Sequence, residues 1–244
     1  MKHSRFLSDY TYGLRRGLPI VFGFLPVAVT FAVMSSQAGL NAAETIGMSA
    51  AVFAGASQIM AVGMVSAGAD ILAITLATFV LNLRHIIMST CVFRRLTHEK
   101  RRWYLPIGFG VTDETFAFFS LEKRERASVG TMLGLITVAY SSWVGGTVLG
   151  TFLSTLLPDA LANSLGIALY ALFIALVTPD IKKSLRLLLV VVLTVALNVG
   201  FGFVLPKSWA IIAATLIGAG LGVFFVEDSD LGMVTDPETG GIAS

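Results

Sequence analysis

The stretch FVLNLRHIIMSTC, Phe79 to Cys91, places Arg84 and His85 side by side behind Asn82, deep inside a long apolar run. A fixed positive charge in such a run has two explanations, and the surrounding solvent decides between them. In a soluble domain the charge would mark a wet helix face. In lipid it would mark a buried site with a partner.

Composition selects lipid. The 244-residue chain is 55% hydrophobic and 13% charged, with a mean hydropathy of +0.82. Soluble domains carry about 25% charged residues, and half that level cannot wet a globule of this size. The expected class is an all-α polytopic membrane protein with six to eight transmembrane or re-entrant helical segments. A lipid bilayer, not nucleic acid, is the partner this composition implies. Cys91 is the only cysteine, which excludes an internal disulfide and any thiolate metal cluster. No HExxH or paired CxxC occurs, so no metal or cofactor is expected.

Apolar runs long enough to matter are Leu18–Gln37, Gly47–Ser66, Ile71–Phe93, Ser128–Leu157, Ser164–Thr178, Leu185–Leu205 and Trp209–Val226. An eighth, Leu105–Ser120, is short and holds Asp113 and Glu114 in its middle. The first run follows Lys2, Arg5, Arg15 and Arg16, as in a signal peptide, but its length and prolines read as a retained helix. The expected organisation is one transmembrane domain over residues 1–226 and a flexible acidic tail over 227–244.

Four clusters hold 15 of the 17 Lys and Arg residues: the N-terminal flank, Arg94–Arg102, Lys123–Arg126 and Lys182–Arg186. The positive-inside tendency places all four, and with them both termini, on the cytoplasmic side. An even number of crossings must then separate successive clusters. Three runs separate the first two clusters and one separates the second from the third, so two intervals fail. Both are repaired if Gly47–Ser66 dips in from outside and Leu105–Ser120 from the cytoplasm. The FAGASQ stretch, Phe53 to Gln58, interrupts the bulky pattern of the first with small and polar residues. Oppositely oriented broken segments are a pointer to a transporter binding site and are compatible with an inverted repeat. The alternative is that one loop violates the charge rule and every run crosses.

On a helix, Thr78, Asn82, His85 and Ser89 share one polar stripe, while Arg84 projects elsewhere. A centrally placed Arg costs about 2.5–3.5 kcal/mol on insertion scales and must find an anion. Asp113 and Glu114 are the strongest intramembrane candidates. Three readings stand: a structural ion pair, a receptor for a substrate carboxylate through Arg84, and a proton site at His85, Asp113 or Glu114. Gly55, Ser57 and Gln58 suit either recognition of a charged group at a helix break or close helix packing, and with Asn82 and Arg84 they form the expected substrate-binding set. The small-xxx-small pairs Gly146/Gly150 and Gly218/Gly222 read as packing. An enzyme is disfavoured: His85 is the only intramembrane histidine and no GxSxG surrounds a serine. A non-catalytic scaffold or channel subunit is the remaining alternative to a transporter.

Taken together, LPIVFGFLPVA (Leu18–Ala28), FAGASQ, NLRH (Asn82–His85), FGVTDETFA (Phe109–Ala117), SSWVGGTVLG (Ser141–Gly150) and YALFIAL (Tyr170–Leu176) resemble the AzlC-type branched-chain amino-acid permeases from Gly17 to Val226. The resemblance implies a bacterial inner-membrane exporter of valine and related amino acids, driven by the proton motive force. It also implies a small hydrophobic AzlD-type subunit as partner. It maps the family's polar membrane residues onto Ser57, Gln58, Arg84, His85, Asp113 and Glu114. Relatives often carry an acid where this chain has Asn82, so any proton role of that acid is absent here or moved to Asp113 or Glu114.

Overall fold

The computed structural model describes residues 2–96, 101–123, 127–156 and 184–225, together with Ile174, Thr178 and Lys182. Nine α-helices occur among them: α1 Lys2–Gln37, α2 Ala42–Val52, α3 Gly55–Ser66, α4 Ile71–Arg95, α5 Tyr104–Gly110, α6 Asp113–Ser120, α7 Val129–Ser154, α8 Leu185–Phe201 and α9 Lys207–Phe225. A single 3-10 turn, Arg101–Trp103, precedes α5. The chain is thus all-helical, and α1, α4 and α7 are long and apolar enough to cross a membrane. The helix expected over Ser164–Thr178 lies outside the described residues, apart from Ile174 and Thr178, and so does the acidic tail.

The chain divides into two compact units, residues 1–66 with 81–166, and residues 67–80 with 167–244. In the second unit α8 and α9 pack on each other. A Cβ at Gly218 would meet the side chain of Thr194 within α8, which is the packing role expected for GAGLG.

The first unit is built on α1 and α7. Here the sequence expectation needs correcting: α1 starts at Lys2, not near Leu18, and neither Pro19 nor Pro26 ends it. The charged N-terminal flank is helical because its small and polar residues face α7. Asp9, Gly13, Gly17, Ile20, Phe24, Ala28, Phe31 and Ser35 recur every three or four residues, and all are buried. The two helices run parallel, Gly130 and Gly134 lying beside Phe6 to Leu14, and Gly146 and Gly150 beside Leu25 to Ala32. A Cβ on Gly134 would sit 2.7 Å from the backbone nitrogen of Leu14, and one on Gly150 2.7 Å from the Cα of Val29. Without a hydrophobic drive between helices in lipid, such close backbone approach supplies the association through dispersion.

Two segments are broken helices. The first breaks at Phe53–Ala54, between α2 and α3, two residues ahead of Gly55. The expectation that Gly55 to Gln58 form the interruption is therefore corrected: they form the first turn of α3. Phe53 itself adopts the left-handed conformation, φ 45° and ψ 46°, the only described non-glycine residue with positive φ. Such a conformation costs roughly 1–3 kcal/mol and persists only where packing holds it. The second segment breaks at Val111–Thr112, between α5 and α6.

Contacts fix the direction of these segments. The start of α5 lies against the beginning of α1, where Trp103 stacks on Phe6 at 6.0 Å. The end of α6 lies there too, where Glu122 receives the Tyr12 hydroxyl at 2.8 Å and Arg16 at 2.9 Å. Helices α5 and α6, together only about 22 Å of helix, therefore enter and return at one end. Arg95 at the end of α4 donates to the carbonyls of Ser120 and Glu122 at that same end. Members or neighbours of the first three basic clusters thus meet there, as the charge argument requires. Helix α1 leaves from this end and α4 arrives at it. The α2–α3 segment connecting their far ends is a second hairpin of opposite orientation, each arm about 16–18 Å long.

Candidate functional site

The two breaks meet through aromatic rings. Phe53 at the first break lies 6.0 Å from Phe109, which precedes the second, and 5.1 Å from Tyr140 of α7. Phe24 and Phe31 of α1 and Trp143 of α7 complete the cluster. Gly55 is glycine because of this packing: a Cβ there would lie 2.8 Å from the Trp143 ring.

Helix α4 passes both breaks and sends a polar group to each. Asn82 Nδ2 donates to Ser57 Oγ in the first turn of α3, at 3.1 Å. Arg84 Nη1 pairs with Asp113 Oδ2 at the first residue of α6, at 2.8 Å. Glu114 follows at the second residue of α6, within electrostatic reach of both. Acids there also complement the positive end of the helix dipole. Thr112 and Thr115 stitch this break: Thr112 N–H donates to Thr115 Oγ1 at 2.8 Å, and Thr115 Oγ1 donates to Gly110 O at 3.0 Å.

The expected polar stripe is present. Thr78, Asn82, His85 and Ser89 are all half-buried, whereas Phe79, Leu83, Ile86 and Ile87 are exposed. His85 Nδ1 lies 3.3 Å from the carbonyl of Asn82, on its own helix. The Arg84 and Asp113 side chains remain 37% and 49% exposed, so the described residues do not enclose the pair. Two buried atoms here lack a hydrogen-bond partner among the described residues: Asn82 Oδ1, an acceptor, and Arg84 Nε, a donor.

Gln58 stands apart from this group. Its side chain is 0% exposed and turns toward α7. Gln58 Oε1 accepts from Ala54 N–H and from Trp143 Nε1–H, each at 3.1 Å, and Nε2 donates to Ser49 Oγ at 3.3 Å. The sequence reading did not find Ser49, Thr147 or Tyr140. The spacing of Ala139, Trp143 and Thr147 on one face of α7 was the available signal, but small polar residues are frequent on packed membrane helices. The Arg16–Glu122 bridge was also missed, because nothing local pairs residues 106 apart in sequence.

A family model described as AzlC protein matches residues 19–157, which include both broken segments and α4. The chain is 38% identical over 138 residues to an uncharacterized membrane protein of Archaeoglobus fulgidus, covering 56% of this chain and 59% of the relative. It is 30% identical over 146 residues to the inner membrane protein YgaZ of Escherichia coli, covering 58% and 60%. An uncharacterized membrane protein of Helicobacter pylori is 26% identical over 147 residues, covering 59% and 64%. The chain thus spans less than two thirds of these relatives' own lengths. No solved structure matches. With more than half of its residues inside the family match, including Ser57, Gln58, Asn82, Arg84, His85, Asp113 and Glu114, the chain belongs to the AzlC family of membrane proteins.

Proposed function

We propose that the chain is the large subunit of a proton-coupled secondary transporter that exports branched-chain amino acids across the bacterial inner membrane. Family membership supports branched-chain amino-acid transport. The relative named an inner membrane protein supports the location. Under the positive-inside tendency, the end where Arg16, Arg95 and Glu122 meet is cytoplasmic, and so is the N-terminus. The small subunit is of AzlD type. Valine, leucine, isoleucine and methionine all fit the chemistry of the site.

The observation that carries the reading is the Arg84–Asp113 pair, not enclosed by the described residues, with one partner on a long helix and the other at the start of a half-helix. A guanidinium can take a substrate carboxylate and an aspartate its ammonium, and the partly exposed rings of Phe109 and Tyr140 offer apolar surface. A pair that opens for substrate also explains why a membrane protein tolerates the charges. Coupling would use Asp113, Glu114 or His85.

The test is valine efflux from cells preloaded with a valine dipeptide and expressing the chain with its small partner. Wild type should raise external valine severalfold over cells without the chain. Asp113→Asn should lose most of that gain at equal membrane abundance. Export by the small subunit alone would reduce this chain to a scaffold.

A further inference from the structure

One arrangement of protons satisfies every hydrogen bond of the buried polar groups around the first break. Ala54 N–H and Trp143 Nε1–H are donors only, so the Gln58 atom they share must be its carbonyl oxygen. The amide nitrogen of Gln58 is thereby fixed toward Ser49. Thr147 Oγ1 donates to the carbonyl of Trp143 at 2.9 Å, so the 2.7 Å contact between Ser49 and Thr147 is a donation from Ser49. A ring results: Trp143 indole to Gln58, Gln58 to Ser49, Ser49 to Thr147, and Thr147 back to the backbone of Trp143. It joins α2, the break and α3 to α7, and Gln58, Ser49 and Thr147 are fully buried. Closed networks of this kind fix one geometry, because a partly satisfied one is costly.

The same logic continues outward. Ser57 Oγ donates its proton to Ala54 O at 2.9 Å. It can therefore only accept from Asn82, which must present Nδ2 and turn Oδ1 away. That oxygen is the buried acceptor without a partner among the described residues. Its complement must be a donor, and a substrate ammonium would supply one when the Arg84–Asp113 pair opens and Arg84 takes the substrate carboxylate.

We infer that Gln58 is a positioning residue: pinned by Trp143, it fixes the break at Phe53–Ala54 and, through Ala54 and Ser57, holds the Asn82 carbonyl oxygen ready for the ammonium group of the substrate. This rests on the transport reading above and assigns Asn82, rather than Gln58, to the substrate. It also accounts for an amide at position 82: Nδ2 satisfies Ser57 while Oδ1 is left without a partner among the described residues.

The experiment uses the chain with its small subunit in proteoliposomes and measures valine transport for wild type, Gln58→Leu, Gln58→Glu, Asn82→Leu and the Gln58→Leu/Asn82→Leu pair. Gln58→Leu should raise KM about tenfold, the loss expected for one hydrogen bond to a charged group, with maximal rate within about twofold. Asn82→Leu should give the same KM defect, and the pair should be no worse than either alone. Gln58→Glu keeps the accepting oxygen and should stay within about threefold of wild type. In a Trp103→Phe/Trp209→Phe background, the ultraviolet resonance Raman band of the remaining Trp143 should report a hydrogen-bonded indole. That signal should be lost in Gln58→Leu and kept in Gln58→Glu. An unchanged KM in Gln58→Leu, or additive defects in the pair, would overturn the positioning role while leaving the transporter intact. A wild type that moves no valine would instead overturn the transport reading beneath it.

Discussion

Arg84→Ala should reduce valine export roughly 10- to 100-fold in maximal rate over KM, the range expected when a charge-assisted hydrogen bond to a substrate is removed. Arg84→Lys should recover only part of this. Lysine restores a point charge but not the planar fork that reaches Asp113 and leaves Nε for a second acceptor. The decisive variant is the apolar pair Arg84→Met/Asp113→Leu. Replacing an ion pair by apolar groups of similar volume is often neutral for stability. If the pair were merely a clamp between α4 and α6, the apolar version would fold and export normally. If the pair instead receives substrate, the apolar version should accumulate in the membrane and export nothing measurable by the dipeptide-loading assay.

Neighbouring glycines should respond oppositely to the same change. Gly134→Ala places a methyl against the carbonyl of Tyr10, with Leu14 N at 2.7 Å and Gly13 C at 2.9 Å, all backbone atoms that no rotamer change can clear. Forcing the helices apart should cost about 1–3 kcal/mol, and Gly134→Leu should abolish membrane accumulation. Gly146→Ala, where a Cβ meets Ala28 Cβ at 2.8 Å, should be similarly harmful. Gly145→Ala has nothing within 4 Å and should be neutral or stabilise by up to about 1 kcal/mol through helix propensity. Membrane abundance and the thermal midpoint of the detergent-solubilised complex measure all four.

What the sequence made legible, and what it hid, follows from the range of each interaction. The stripe through Asn82 and His85 was readable because helical periodicity is local. The acids at Asp113 and Glu114 announced the second break because charge cannot continue into lipid unpartnered. The first break was displaced by two residues: Gly55 looked like the interruption, yet the left-handed residue is Phe53, held there by Phe24, Phe109 and Tyr140 from distant segments. The extent of α1 was hidden because Lys2, Arg5, Asp9, Arg15 and Arg16 break up the apolar pattern of its start, whose helical face becomes visible only against Gly130 and Gly134. The side chain of Gln58 read as an open amide because Trp143 and Ser49, which satisfy it, lie elsewhere in the chain.

The parallel pair α1–α7 acts as a keel. Its glycines lock backbone into backbone at several levels, so sliding or rolling one helix on the other would drive main-chain atoms through each other. Helix α4 is moored differently, by the long or polar side chains of Asn82, Arg84 and Arg95, which can let go and grip again. Any alternation of access must therefore be borne by α4 and the two hairpin tips, and spin labels spanning α1 and α7 will keep one separation while those spanning α4 and α7 will show two.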